Sequence, residues 1–318
     1  MRPLTELIKH IKNASYILVA GHVSPDGDAI GACTAMGLIL EKMGKQYDIL
    51  LEDPGEQYNY LLSTVNVLLE APERTCDLFI ALDCADFSRL GPFKDAFEKA
   101  TISWNVDHHV SNTNYGKYNH VDSNASSASE ITFGIYEESK VEMDPEIAQA
   151  IYTGIVYDTA AFKHSNTTSR TLSVASELIK QDFDFSAIIQ QMFYSQPLVS
   201  VQLEGLAINN IETHFDHQLV IATLSLEEIS QHSPDGKGTA GIVNVLKNIK
   251  GSKIAAFLYE KSENEVKLSL RSEDPYDVCS VAQNFGGGGH IKAAGATINL
   301  SLKEAKEKIT PLLIDLFQ

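Results

Sequence analysis

Gly21-His22-Val23-Ser24-Pro25-Asp26-Gly27-Asp28-Ala29-Ile30-Gly31 is the stretch whose reading decides the fold. The apolar run Tyr16-Ile17-Leu18-Val19-Ala20 leads into it, and an apolar-periodic stretch to about Met43 follows. The pattern is strand, loop, helix. Such a loop lies at the carboxyl end of its strand, where open α/β sheets bind ligands. His22, Asp26 and Asp28 share it, and Gly27 permits a tight turn between the two carboxylates. Carboxylates crowded in this way repel unless a divalent cation lies among them. Capping of the following helix by Asp26 or Asp28 is the plainer alternative.

Outward from this stretch the same pattern recurs. Tyr47-Asp48-Ile49-Leu50-Leu51 reads as a second strand. Leu78-Phe79-Ile80-Ala81-Leu82 is a third and ends in Asp83-Cys84-Ala85-Asp86; Ile102-Ser103-Trp104-Asn105-Val106 is a fourth and ends in Asp107-His108-His109. Helical patterns lie between them, which predicts βαβ units and a mainly parallel sheet. A short amphipathic helix is expected over 4–12, and others from Ser127 to Glu138, from Pro145 to Asp158 and from Ser169 to Lys180. Phe185 to Pro197 lacks strand character and reads as the connection to a second half.

That half alternates strand and helix patterns: strands at Leu219–Leu224, Lys253–Tyr259, Glu265–Leu270 and Ala296–Leu300, a helix at Val278–Asn284 and a terminal helix. Ser262-Glu263-Asn264 separates two of the strands as a hairpin turn. The expected fold class is α/β. A larger N-terminal domain with a mainly parallel sheet covers 1–185, a linker 186–200, and a smaller domain with a mixed sheet 201–318.

The chain has 318 residues, with 25 Lys and Arg against 42 Asp and Glu, a formal charge of −17. So acidic a surface argues against non-specific gripping of long nucleic acid or anionic membrane. Small anionic substrates fit only if the site supplies positive charge of its own, as metal ions do. Cys33, Cys76, Cys84 and Cys279 are scattered, with no C-x-x-C pair, as expected for reduced packing thiols. The N-terminus has no signal-peptide core, and no apolar run approaches the ~20 residues that cross a bilayer. The expectation is a cytoplasmic protein with no membrane association.

His22, Asp26, Asp28, Asp83, His108 and Asp158 make a mixed imidazole–carboxylate set. Such a set suits two octahedral divalent ions sharing a carboxylate, and tilts the choice from magnesium toward manganese or cobalt. Two ions ~3.5–4 Å apart can activate water and stabilise a leaving oxygen in phosphoryl transfer. Taken singly, His108 reads equally as a core histidine and Asp158 as an exposed helix carboxylate. In the second half, Gly286-Gly287-Gly288-Gly289-His290 is either a backbone loop that cradles a phosphate or a hinge. Arg271, at the end of the strand Val266–Leu270, is either a phosphate fork or a surface ion-pair residue.

Together, the first stretch, Asp83-Cys-Ala-Asp86, Asp107-His108-His109 with Asn112, and Tyr157-Asp158-Thr159 resemble the four motifs of the DHH phosphoesterase superfamily. Gly287-Gly-Gly-His290-Ile-Lys-Ala-Ala-Gly295, with Ser269-Leu-Arg-Ser272, resembles its DHH-associated C-terminal domain. The resemblance covers nearly the whole chain, and the two-domain layout is similar to the oligoribonuclease and 3′-phosphoadenosine 5′-phosphate (pAp) phosphatase branch. It implies that His22, Asp26 and Asp83 hold one manganese ion, and Asp28, Asp83, His108 and Asp158 the other, with cobalt or magnesium as substitutes. It implies that Asp107 orients a neighbouring histidine and that His109 contacts the scissile phosphate and protonates the leaving oxygen. Arg271, Gly287, Gly288, Gly289 and His290 would hold the rest of the substrate, across an active-site cleft between the domains. The implied substrates are short RNA or DNA, pAp or linear dinucleotides, and the implied assembly a homodimer. The main rival is a soluble phosphodiesterase of cyclic di-AMP or linear pApA. Less favoured are an inorganic pyrophosphatase, whose Arg-Lys-Lys cluster is missing, and a non-catalytic nucleotide-binding regulator, which would have lost ligands.

Overall fold

The computed structural model describes residues 3–53 and 55–318, in two compact units, Met1–Ser195 and Gln196–Gln318.

The first unit is built on a six-stranded sheet: β1 (Tyr16–Ala20), β2 (Gln46–Leu50), β3 (Val67–Leu68), β4 (Leu78–Leu82), β5 (Ile102–Asp107) and β6 (Tyr118–Val121). Their order is β3-β2-β1-β4-β5-β6, and every pairing is parallel. β1 and β4 are buried along their whole length, so they read as unbroken apolar runs rather than alternating ones. Ile17, Val19, Ile80, Leu82 and Val106 pack on one face against the helices Gly27–Lys42, Ala128–Ser139 and Pro145–Asp158. Tyr16, Leu18, Phe79 and Ala81 pack on the other against Leu90, Phe93 and Phe97. The strand order reverses between β1 and β4, and at such a switch point the loops diverge and leave a crevice at the carboxyl ends. Strands β3 and β6, short and only partly buried, close the sheet at its edges.

The second unit has its own six-stranded sheet, formed by β7 (Glu212–His214), β8 (Leu219–Leu224), β9 (Ile254–Ser262), β10 (Glu265–Ser272), β11 (Gly288–His290) and β12 (Ala293–Ile298). The order is β11-β12-β10-β9-β8-β7; β8 and β9 pair in parallel and the other neighbours antiparallel, so the sheet is mixed. β10 alternates half-buried and buried residues, with Val266, Leu268 and Leu270 inward against the helices Val278–Gln283 and Leu302–Asp315. Among the described residues, apolar packing on the opposite face covers β8 and β9 only, through helices Leu198–Asn209, Leu226–His232 and Ile242–Lys247. The stretch 186–200 is largely helical: Phe185–Ile189 runs into a wider turn, Gln190–Tyr194, before the helix that starts at Leu198.

The glycine run is not a loop throughout. Gly288 to His290 form edge strand β11, paired with β12, and a Cβ at Gly287 or Gly289 would lie 2.2 Å from Gly295 O or 2.4 Å from Ala293 O. Glycine is required there because two backbones approach too closely for a side chain. No helix among the described residues is long and apolar enough to cross a membrane.

Candidate active site

The loop after β1 carries His22 and Asp26. Asp26 does what the plainer reading asks of it: its Oδ1 caps the helix Gly27–Lys42, accepting from the amides of Asp28 (3.0 Å) and Ala29 (3.2 Å). Its other oxygen stays free and faces His22 Nε2 at 3.8 Å. One carboxylate can therefore serve as cap and ligand together.

Asp28, two residues further, is fully buried. Its oxygens accept from the amides of Ala128 (2.6 Å) and Ser129 (2.9 Å), at the N-terminus of the helix Ala128–Ser139. Burial and the neighbouring Asp83 and Asp158 still drive its pKa well above the usual carboxylate range. Gly154 makes room for this arrangement, since a Cβ there would lie 1.9 Å from Ser129 Oγ and 2.5 Å from Asp28 Oδ1.

Asp83 follows β4 in the left-handed region (φ 53°), a conformation that costs a non-glycine residue energy and aims its side chain into the crevice. Its Oδ2 lies 3.6 Å from His22 Nε2 and its Oδ1 3.4 Å from His108 Nε2. Oδ1 is buried yet makes no hydrogen bond. A buried carboxylate oxygen with no donor is costly unless a cation completes it.

At the end of β5, Asp107 is fully buried, and its carboxylate groups with ligand atoms of Asp83, His108 and His109, all within 4.8 Å of one another. Its Oδ1 accepts from the His108 amide (2.8 Å) and from His109 Nδ1 (2.8 Å), and its Oδ2 from Asn112 Nδ2 (2.5 Å). Burial alone would raise its pKa, but these donors hold it below the usual range, and the same bond raises that of His109. His108 Nε2 faces Asp158 Oδ2 (3.1 Å) as well as Asp83 and Asp28. Asp158 is the last residue of its helix, where the dipole disfavours a negative charge. Burial first, then Asp83 and Asp26, push its pKa up to about 7. Burial would lower the histidines, yet Asp26 and Asp83 drive His22, and Asp83, Asp28 and Asp158 drive His108, to about 10.

The first-half candidates thus converge. Ligand atoms of His22, Asp26 and Asp83 lie within 4.8 Å of one another, as do those of Asp28, His108 and Asp158, and Asp83 reaches both groups. The orphaned Asp83 oxygen and the mixed donor set fit a pair of divalent cations. The second-half candidates gather on the second unit. Arg271 on β10 and His290 on β11 both pair with Ala293 of β12, so they share a row and a face of the sheet. Ser269, Gly295 and Gly288 form the next row of that face, which ends in a shallow depression lined by Tyr259, Lys267 and Gly287. Arg271 spends Nε on Asn244 and Nη1 on the Leu270 carbonyl, and His290 is exposed.

Sequence reasoning missed three supporting residues. Gly154 could have been found as an isolated glycine within a helical pattern. Ser129 and Arg89, whose Nη2 lies 2.8 Å from His22 Nδ1, leave no signal in pattern or spacing.

A metal-binding crevice at the carboxyl edge of a parallel sheet, followed by a mixed-sheet unit, is the layout of a phosphoesterase, and the chain belongs to the DHH family. Residues 16–155 match the DHH family N-terminal domain and residues 216–318 the DHHA1 domain. A Thermus thermophilus protein named bifunctional oligoribonuclease and PAP phosphatase NrnA is 30% identical, over 97% of this chain and 92% of its own. A Bacillus subtilis protein of the same name is 30% identical, over 92% of this chain and 93% of its own. Among solved structures, an exopolyphosphatase-related protein from Bacteroides fragilis superposes with a TM-score of 0.86, at 23% identity, over 99% of this chain and 97% of that one. This likeness bears on fold alone.

Proposed function

We propose that this chain hydrolyses phosphoric esters of short nucleotides with two manganese ions: it shortens oligoribonucleotides and removes the 3′-phosphate of pAp. The observation that carries the reading is Asp83, a buried carboxylate with an oxygen lacking any donor, standing between two histidines. The full-length likeness to the two NrnA proteins supports the substrate class.

His22, Asp26 and Asp83 would hold one ion, and Asp28, Asp83, His108 and Asp158 the other. Bound there, the ions supply an activated water and charge stabilisation for the transferring phosphoryl group. Asp107 stays ionised and turns His109 by accepting its Nδ1 proton, which leaves Nε2 outward to donate to the leaving oxygen. The amides of Ala128 and Ser129 hold Asp28 in place despite the repulsion around it. Arg271 and His290, with the amides of Gly287, Gly288 and Gly289, would take the substrate's other phosphate or nucleotide. Residues 1–185 are thus read as the catalytic part and 201–318 as the substrate-holding part, joined by 186–200. The protein is read as a cytoplasmic homodimer, which light scattering tests.

The deciding experiment measures release of nucleoside monophosphate from two- to five-nucleotide RNA and of phosphate from pAp, with manganese and with chelator. Asp83→Asn keeps the side-chain shape but loses the charge. It should abolish both activities and most manganese binding. Full activity in chelator, or in Asp83→Asn, refutes the reading.

A further inference from the structure

Arg89 is exposed and forms no ion pair among the described residues, although the chain carries a formal charge of −17 and the histidine it touches, His22, faces Asp26 and Asp83. Its place is fixed by the backbone rather than by its side chain. The turn Phe87–Phe93 is capped by Asp86, whose carboxylate accepts from the Ser88 amide at 2.8 Å. The Arg89 carbonyl accepts from the Val23 amide at 2.8 Å, which ties this turn to the loop that carries His22. Gly91 reinforces the tie: it sits at φ 53°, and a Cβ there would lie 2.2 Å from Val23 Cγ1. The chain has thus fitted the Arg89 turn flush against the His22 loop.

The guanidinium lies at the rim of the cluster. Its Nη2 is 2.8 Å from His22 Nδ1 and 3.5 Å from the Val23 carbonyl. Nδ1 has an acceptor of its own, the same carbonyl at 2.8 Å. When Nε2, which faces Asp26 and Asp83, gives its lone pair to a cation, Nδ1 must carry the ring proton and donate it to Val23. Nδ1 then has no lone pair for Arg89, so a guanidinium with no carboxylate partner is left beside the cation position. Glu52, the acidic group nearest Gly91, accepts from the Ser24 amide instead.

We propose that Arg89 is a phosphate-binding residue of this site, donating to a non-bridging oxygen of the substrate phosphate held at the His22, Asp26 and Asp83 side. This rests on the reading of the chain as a phosphoesterase. Arginine suits the task because its fork stays charged and offers two parallel donors to one phosphate. The contact is made beside His22 and does not replace any metal ligand.

Arg89→Ala and Arg89→Lys in the full chain test the assignment with three measurements: calorimetric titration with manganese alone, the inhibition constant of inorganic phosphate at saturating manganese, and KM against kcat for pAp. Arg89→Ala should leave manganese affinity within about twofold and weaken inorganic phosphate by about ten- to a hundredfold, the range of a lost charged hydrogen bond. KM for pAp should rise with it, and Arg89→Lys should recover part of the loss. If Arg89→Ala instead weakens manganese more than about tenfold while phosphate inhibition is unchanged, Arg89 props His22 and the assignment is overturned. Equal phosphate inhibition in wild type and variant overturns the assignment alone. A wild type that neither binds phosphate nor cleaves pAp overturns the phosphoesterase reading, and this assignment with it.

Discussion

Gly154→Ala is the sharpest probe of how the first unit holds its carboxylates. The new methyl would lie 1.9 Å from Ser129 Oγ and 2.5 Å from Asp28 Oδ1, where Cβ contacts below 3.0 Å do not occur. Relief requires Asp28 to retreat by about 0.5 Å and Ser129 Oγ by about 1.1 Å, in a region with no slack. Asp28 cannot shift without stretching its bonds to the Ala128 and Ser129 amides, already 2.6 and 2.9 Å long. Overpacking of this kind costs about 1–3 kcal/mol, or roughly 3–10 °C in Tm for a unit of this size. The displaced carboxylate should also cost about ten- to a hundredfold in affinity for the second manganese ion. Calorimetric titration and thermal unfolding in the same buffer read both effects. Gly205→Ala is the control, because nothing lies within 4 Å of its Cβ position and it is a helix-interior glycine in the other unit. It should leave manganese binding untouched and stabilise by up to ~1 kcal/mol. A Gly154→Ala protein that binds manganese like wild type would refute the coupling of helix packing to the metal centre.

Three further outcomes follow from the same geometry. Asp107→Asn removes the charge that raises His109, so the alkaline limb of the kcat profile for pAp should move to lower pH, while manganese affinity changes little; an unmoved limb separates His109 from proton donation. Stability of the chelated protein should fall as pH rises from about 6.5 toward 10, read by Tm. His22 and His108 have folded pKa values near 10 against 6.5 unfolded, so their contribution is complete below 6.5 and is lost as pH climbs through the folded value. Asp158, at about 7 against 3.8, adds an earlier decline between about pH 3.8 and 7, whereas manganese, which needs the deprotonated ligands, should stabilise more as pH rises. Arg271→Ala and His290→Ala should leave the manganese titration intact and lower kcat/KM on pAp by about ten- to a hundredfold, with a smaller loss on an activated phosphodiester that lacks a second phosphate.

What the sequence revealed and what it hid divide along a physical line. The β1 and β4 runs are apolar throughout because both sheet faces are covered, and each breaks into Asp or His where the strand leaves the core. That contrast between buried strand and polar end is local, so His22, Asp83 and the Asp107-His108-His109 series were legible from pattern alone. Helix Pro145–Asp158 was equally plain, with Asp144 as cap and proline in its first turn. The short strands β3, β6 and β7 were not, since two to four partly buried residues give too little periodicity. The glycine run misled for the opposite reason: glycine has little intrinsic strand preference, and only its pairing with β12 makes β11 a strand.

The groups that support the candidate site were hidden because they act across long stretches of chain. Asp28 takes its donors from residues 128 and 129, and Gly154 opens the space for both, so no window of sequence contains the arrangement. The sequence posed a choice between helix cap and metal ligand at Asp26, and the structure dissolves it. One oxygen of Asp26 is spent on the helix, which fixes the rotamer, and the other then faces His22 with little freedom left to lose. Asp83 is the converse case. It has no cap to make, a left-handed backbone that costs energy, and a buried oxygen with no donor. Strain and an unsatisfied charge at one residue would be a poor bargain for stability alone. They make sense where a cation completes the site, and so the residue with the orphaned oxygen is the one on which the functional reading depends.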